Sequence, residues 1–176
     1  MTQLNMRLAL GLCLAAAFAG QSFANKAMAQ TAPASSATKP ISPRQGWVIT
    51  STPHSFPVLV QRLEAAIQTQ KMGMVNFASA SDGAKAQGIT IPGNRVVGVF
   101  RNDYARRMLV ASLASGIEAP VRFYLTENAD GTATLSYRPP GTIFAPYVAE
   151  ASPDLKILAD ELDAIFSKIA AEASAR

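Results

Sequence analysis

From Gly46 onward the apolar positions fall into short runs that switch between two periods. Trp47 to Ser51 has the β-branched and aromatic composition of a strand. Phe56, Leu59, Val60, Leu63 and Ile67 then recur at helical spacing and predict a helix with one buried face. Ser55 stands at its cap position, Pro57 lies in its first turn, where a missing N–H costs little, and Gly73 ends the run. Met74 to Phe77 is read as a second strand, followed by a loop able to hold a short helix over 82–87. Arg95 to Arg101 is a third strand with Val96, Val97, Val99 and Phe100 inside it. Asp103 is the expected cap of a middle helix with Tyr104, Met108 and Ala111 on one stripe, closed by Gly116. Two further strands cover 121–126 and 132–138. The last helix takes Ser152 as cap and Pro153 at its first position, and it carries Leu155, Leu158, Leu162, Ile165 and Ile169 on one face. Asp154 near its start suits the helix dipole.

The last two strands can be set in register. Asn128-Ala129-Asp130-Gly131 signals a type I turn followed by a left-handed glycine, which is a three-residue hairpin loop with a bulge. That loop pairs Asn128 with Thr132. Counting outward, Leu125 faces Leu135 and Phe123 faces Tyr137, so one side of the hairpin is apolar and belongs against the helices. On the other side Thr126 meets Thr134, Tyr124 meets Ser136 and Arg122 meets Arg138. A slip of one residue would set Phe123 against Ser136, so the pattern selects its own register.

The N-terminus follows another pattern. Met1 to Arg7 holds one base and no acid, and Leu8 to Gly20 is an almost unbroken apolar run. The run is shorter than the about 20 residues that a spanning helix needs. Ala27-Met28-Ala29 follows, with small residues where a signal peptidase reads. Residues 1–29 are therefore expected to be a secretory signal peptide cleaved after Ala29, with Ala24 the second choice and a retained anchor the alternative. Leu12 ahead of Cys13 is too large for a lipoprotein signal. Residues 30–45, rich in Ala, Ser, Thr and Pro, are expected to be a flexible tether, and 46–176 a single domain. The chain is 49% apolar and 16% charged, which argues against disorder. Its 16 Lys+Arg and 12 Asp+Glu give a charge of +4. Cleavage after Ala29 would leave 147 residues, remove Arg7, Lys26 and Cys13, and lower that charge to +2. A periplasmic or secreted chain without cysteine excludes thiol catalysis and disulfides, and the residual charge is too small to argue for nucleic acid. No later segment is expected to span a membrane.

The order of pieces resembles the domain of unknown function 302 family of bacterial proteins. The residues that carry the likeness are Ser55-Phe56, Leu63, the Ala-Ala-Ile at 65–67, Gly73-Met74 with the strand Val75 to Phe77, and the strand Val96 to Phe100. Arg101-Asn102-Asp103 stands where the family has Gly-Asn-Pro, and Glu118-Ala119-Pro120 where it has Asp-Leu-Pro; Asp130-Gly131 and Tyr137 with Pro139 follow. The likeness covers roughly Val48 to Tyr147. It implies an α+β domain of the kind shared with the TATA-binding-protein-like fold: strand-helix-four-strand-helix, with an antiparallel sheet and helices packed on one face. It also implies pairing of domains through their sheets, hence a homodimer, and no known activity. Where relatives often show Asp-His-Ala, this chain has Asp82-Gly83-Ala84, so a role for that His has no residue here.

Little in the chain points to catalysis. His54 is the only histidine, and Ser55 beside it on an extended segment points the opposite way, so the two cannot easily form a nucleophile and base. No cofactor or metal is expected, since there is no phosphate loop and too few ligands for zinc. Asp160, Glu161 and Asp163 are read as a solvated face beside Lys156 and Lys168. The basic residues say more. Arg95, Arg101, Arg106, Arg107, Arg122 and Arg138 lie in the middle of the chain. Arg122 opposite Arg138 is costly without an anion, because like charges across a strand pair repel. Arg122, Tyr124 and Arg138 are thus the candidate anion site, with Glu118, Glu127 or an acid from a dimer mate as the alternative means of neutralisation. The expected function is an exported, non-catalytic binding or accessory domain whose sheet face takes a small anion or a periplasmic partner chain. The alternatives are a metal-independent hydrolase using Asp103 or Glu118 near Tyr104 and Arg101, and a scaffold subunit of a periplasmic complex.

Overall fold

The computed structural model describes residues 40–176. The expected signal peptide, and residues 30–39 of the expected tether, lie outside the described residues. Strand β1, Val48–Ser55, runs without a loop into helix α1, Phe56–Thr69. Leu59, Leu63 and Ile67 of α1 are buried, as their spacing requires, while the Ser55 hydroxyl makes no capping bond. The helix is not ended by Gly73. Lys71 makes the left-handed turn at φ 55°, with Met72 N–H donating to the Ile67 carbonyl, and Gly73 opens strand β2, Gly73–Ala78. Helix α2, Ala80–Ala86, starts earlier than expected because the Ser79 hydroxyl accepts from Asp82 N–H at 3.0 Å.

Strand β3, Asn94–Phe100, leads into helix α3, Asn102–Ala111. Asp103 is not its cap: the cap position falls to Arg101, and Asp103 sits in the first turn paired with it. Gly116 does not close α3 but lies in a separate 3-10 turn, Ala114–Glu118. Strands β4, Val121–Glu127, and β5, Thr132–Tyr137, form the hairpin. A short helix α4, Pro140–Phe144, follows that the apolar periods do not predict. Helix α5, Asp154–Ser174, begins one residue later than expected, with Pro153 at the cap position.

The five strands form one antiparallel sheet in the order β1-β5-β4-β3-β2. Consecutive strands β1 and β2 thus lie at opposite edges, and α1 carries the chain from one edge to the other. The hairpin register is the one its residues select: Phe123 opposite Tyr137, Leu125 opposite Leu135, Thr126 opposite Thr134. Asn128 N–H donates to the Thr132 carbonyl at 2.8 Å, and Gly131 takes φ 80°, which no Cβ-bearing residue adopts cheaply. One side of the sheet supplies Val97, Val99, Phe123, Leu125, Leu135 and Tyr137 to a core closed by α1, α4 and α5. Phe123 stacks on Phe166 of α5 with ring centres 4.9 Å apart and leans on Tyr137 at 5.0 Å. No helix among the described residues is long and apolar enough to cross a membrane.

Candidate functional site

The ladders place the remaining strand residues on the opposite side of the sheet, in three rows. The middle row runs Ile49, Ser136, Tyr124, Val96 and Ala78 from edge to edge. Ser51, Thr134, Thr126 and Asn94 form the row on the hairpin side. On the other side Arg122 stands opposite Gly98, and Gly98 stands opposite Asn76. Gly98 is needed there, because a Cβ would lie 2.8 Å from the Pro120 ring and collide with the Asn76 side chain.

Arg138 lies one residue past the end of β5 and past the last ladder pair, Phe123 with Tyr137, whose register, continued by one step, would set it opposite Arg122. Both arginines are exposed, Tyr124 is half-buried, and neither guanidinium has an ion-pair partner among the described residues. The two internal acids considered for them are engaged elsewhere. Glu118 accepts from the Tyr147 hydroxyl at 2.8 Å, and Glu127 accepts from Gly93 N–H at 2.6 Å. A third base joins this end of the sheet: Arg44 lies 5.1 Å from the ring centre of Trp47, the residue just before β1. Its turn position in a Pro- and Ser-rich segment hid it from sequence reasoning. No residue assigned to this face by the ladders is acidic.

Arg95, Arg101 and Arg107 are paired with acids, whereas Arg106 is exposed without an ion-pair partner among the described residues. Arg107 grips Glu161 through two bonds of 2.8 and 2.9 Å, and Arg101 grips Asp103 at 2.8 Å. Tyr104 lies between them, its ring 4.3 Å from Arg101 and 5.3 Å from Arg107. The hydrogen bond from Arg107 holds the Glu161 carboxyl below the usual carboxylate range, and that from Arg101 does the same for Asp103. A carboxylate held ionised in this way is a poor proton donor, and Asp103 opens on a shallow depression lined by Arg106, Arg107, Val110 and Asp154. Of the acids read as a solvated face on α5, only Asp160 fits, paired with Lys156 at 2.8 Å. Glu161 binds Arg107, and Asp163 accepts from Gly141 N–H at 2.9 Å.

A groove of about 630 Å³ lies on the helical side between α1, α2 and the loop before β3, with Phe56, Val60, Ile89 and Ile91 as apolar walls. Arg95 forms its floor. It is bound to Asp82 at 2.9 Å, lies 3.8 Å from Glu64, and stacks on Phe77 at 4.9 Å. The sequence signal for this groove was Ile89-Thr90-Ile91, two large apolar residues in a loop that would otherwise be polar. Its lining acids Glu64, Asp82 and Glu127 outnumber Lys85 and Arg95, so it lacks the free positive charge of the sheet face. His54 lies apart from both regions. Its Nε2 is 2.7 Å from the Ala175 carbonyl, next to the end of α5. Among the described residues no three His, Cys, Asp or Glu side chains are grouped to hold a metal ion.

Comparison with curated proteins finds no match. Among solved structures, the crystal structure of an uncharacterized conserved protein DUF302 from Bacillus stearothermophilus superposes with a TM-score of 0.62. It is 17% identical, over 76% of this chain and 100% of the other. The sequence profile of the domain of unknown function DUF302 matches residues 48–173, from the first strand to the last helix. The chain belongs to the DUF302 family.

Proposed function

We propose that this protein is an exported, non-catalytic binding domain that captures an anionic group at the exposed arginines on the sheet face opposite the helices. What supports the reading is the charge of that face: Arg122 on β4 and Arg138 just past β5 are both exposed without an ion-pair partner among the described residues, Tyr124 stands in the neighbouring row, and the ladders assign no acid there. Adjacent guanidiniums without a counter-ion repel, and a phosphate, sulfate or carboxylate oxygen set between them reverses the sign of that interaction. Export is supported by the basic start, the short apolar run and Ala27-Met28-Ala29, and it places the site where periplasmic solutes and proteins reach it. The anionic group is either free or carried by an acidic segment of a partner chain.

Thermal unfolding in phosphate, sulfate and small dicarboxylates, against chloride at matched ionic strength, tests the reading. A ligand at 100-fold over its Kd adds roughly 2.7 kcal/mol of stability, enough to read easily. The stabilisation is expected to vanish in the Arg122→Ala, Arg138→Ala double variant. A shift that survives the double variant removes the site. If no small anion shifts the wild type, affinity capture from a periplasmic extract with wild type and double variant decides the partner-chain form. Equal capture by both removes that form as well.

A further inference from the structure

The groove between α1, α2 and the loop before β3 plays no part in the anion reading. Its volume of about 630 Å³ is in the range that takes a small organic molecule. Its walls are apolar. Ile89 and Ile91 remain 46% and 36% exposed, and Phe56 and Val60 of α1 line the same space. Gly93 fixes the distance between loop and helix, since a Cβ there would lie 2.6 Å from the Phe56 ring. The polar lining is acidic: the three carboxylates of Glu64, Asp82 and Glu127 stand against the two cations of Arg95 and Lys85, a net charge of −1. Arg95 is already matched, because its Nη2 donates to Asp82 at 2.9 Å and its guanidinium stacks on Phe77 at 4.9 Å. Glu64 is left 3.8 Å from Arg95, beyond hydrogen-bond distance. Glu127 gives the Gly93 N–H only its Oε2. Among the described residues the acids are not grouped to hold a metal ion, so the cation that suits them is an organic one.

We propose that this groove binds a primary amine carried on an apolar body, with the ammonium received by Glu64 and Glu127 and the body against Phe56, Ile89 and Ile91. An ammonium brings one positive charge and three donors, and both carboxylates have acceptor oxygens to spare. Hydrogen bonds of this charge-assisted kind are the stronger class. The body takes water off the apolar walls, and each methylene it buries adds about fourfold in affinity. An anion on the same body is the poorer occupant. It would meet Glu64 and Glu127 as like charges, and the guanidinium that could offset them is held by Asp82. Lys85 is the lining cation without an ion pair among the described residues, and it is exposed, where a single pair contributes little. Arg122 lies on the opposite side of the sheet, so the amine site stands or falls independently of the anion reading.

Titration of the isotope-labelled chain with hexylamine, methylamine, hexanol and hexanoate, followed by amide NMR shifts, tests the site. Hexylamine is expected to move the amides of Phe56, Ile89, Ile91 and Gly93 with a Kd of about 1 mM or below. Hexanol should bind the same residues more weakly, and methylamine and hexanoate more weakly still. The Glu64→Gln, Glu127→Gln double variant keeps the shape of both side chains and the acceptor that holds the Gly93 N–H. It is expected to weaken hexylamine about tenfold and to leave hexanol unchanged, which also shows that the groove is intact. If the double variant does not fold, Glu64→Gln alone, at a side chain open to water, is expected to weaken hexylamine about threefold. No shift at about 10 mM hexylamine, or shifts confined to residues outside the groove, overturns the proposal. So does hexanoate, hexanol or methylamine binding as tightly as hexylamine, or a hexylamine affinity that the substitutions do not change.

Discussion

Lys71 is the one described residue other than glycine with positive φ, and it sits there because the chain must turn from α1 into β2 within three residues. The left-handed region costs a Cβ-bearing residue roughly 1 kcal/mol. Lys71→Gly is therefore expected to raise stability by about 0.5–1 kcal/mol in urea titration, the gain in native geometry being partly offset by a freer unfolded chain. Ionisation supplies a second residue-scale expectation. Asp82, Asp103 and Glu161 are held below the ordinary carboxylate range by hydrogen bonds from Arg95, Arg101 and Arg107. Their contribution is complete above the unfolded carboxylate values near pH 4 and is lost as pH falls through the lower folded values. Burial, and secondarily Asp163, pushes the Tyr137 phenol up. Its contribution is complete below the unfolded value of about 10 and is lost as pH rises through the folded one. A melting-temperature profile should thus fall at both ends. Arg107→Gln should shallow the acid limb and Tyr137→Phe the alkaline limb, and limbs unchanged by these substitutions would refute the assignments.

At the scale of elements, the end of α5 shows how a helix is finished by another part of the chain. The last carbonyls of a helix have no intrahelical donors. Here the Arg62 guanidinium of α1 donates to the Ala173, Glu172 and Ala175 carbonyls at 2.9, 3.0 and 2.8 Å. A cation there also suits the helix dipole. Arg62→Ala is expected to cost about 1–2 kcal/mol and to speed amide exchange in the last turn of α5 ahead of the rest of the helix. Uniformly faster exchange would show that Arg62 supports packing rather than the cap. Element existence was legible wherever a long apolar period ran: α1, α5 and the hairpin register follow from their residues. Boundaries were not, because Arg101 and Pro153 take cap positions set by the path of the chain and not by their own preference. α4 was illegible for a similar reason. Pro139-Pro140 excludes a helix interior but permits a helix start, and only the burial of Ile143 and Phe144 decides for the helix.

For the molecule as a whole, stability rests on one side of the sheet and anion recognition is argued for the other. Phe166 is 1% exposed and stacked on Phe123, so it ties α5 to the centre of the sheet. Phe166→Ala is expected to cost about 3–5 kcal/mol, a large share of what a domain this size has, and to be read as a lower denaturation midpoint. If the midpoint moves by less than 1 kcal/mol, the α5 contact with the sheet is not central to the fold. The opposite face, by contrast, should tolerate Arg122→Ala with little loss of stability, since an exposed arginine without a partner contributes little.

By itself the sequence determined the apolar periods, the hairpin register and hence which side of β4 and β5 meets the core, because a slip of one residue would bury polar groups. Its register also predicts Arg122 opposite Arg138. Only the tertiary structure decided that β1 and β2 end at opposite edges, that Glu118 and Glu127 are engaged with Tyr147 and Gly93, and that among the described residues the ladders assign no acid to the face of Arg122. Those facts depend on which strands become neighbours. Strand order is set by packing over long separations and is not written in any local run of residues.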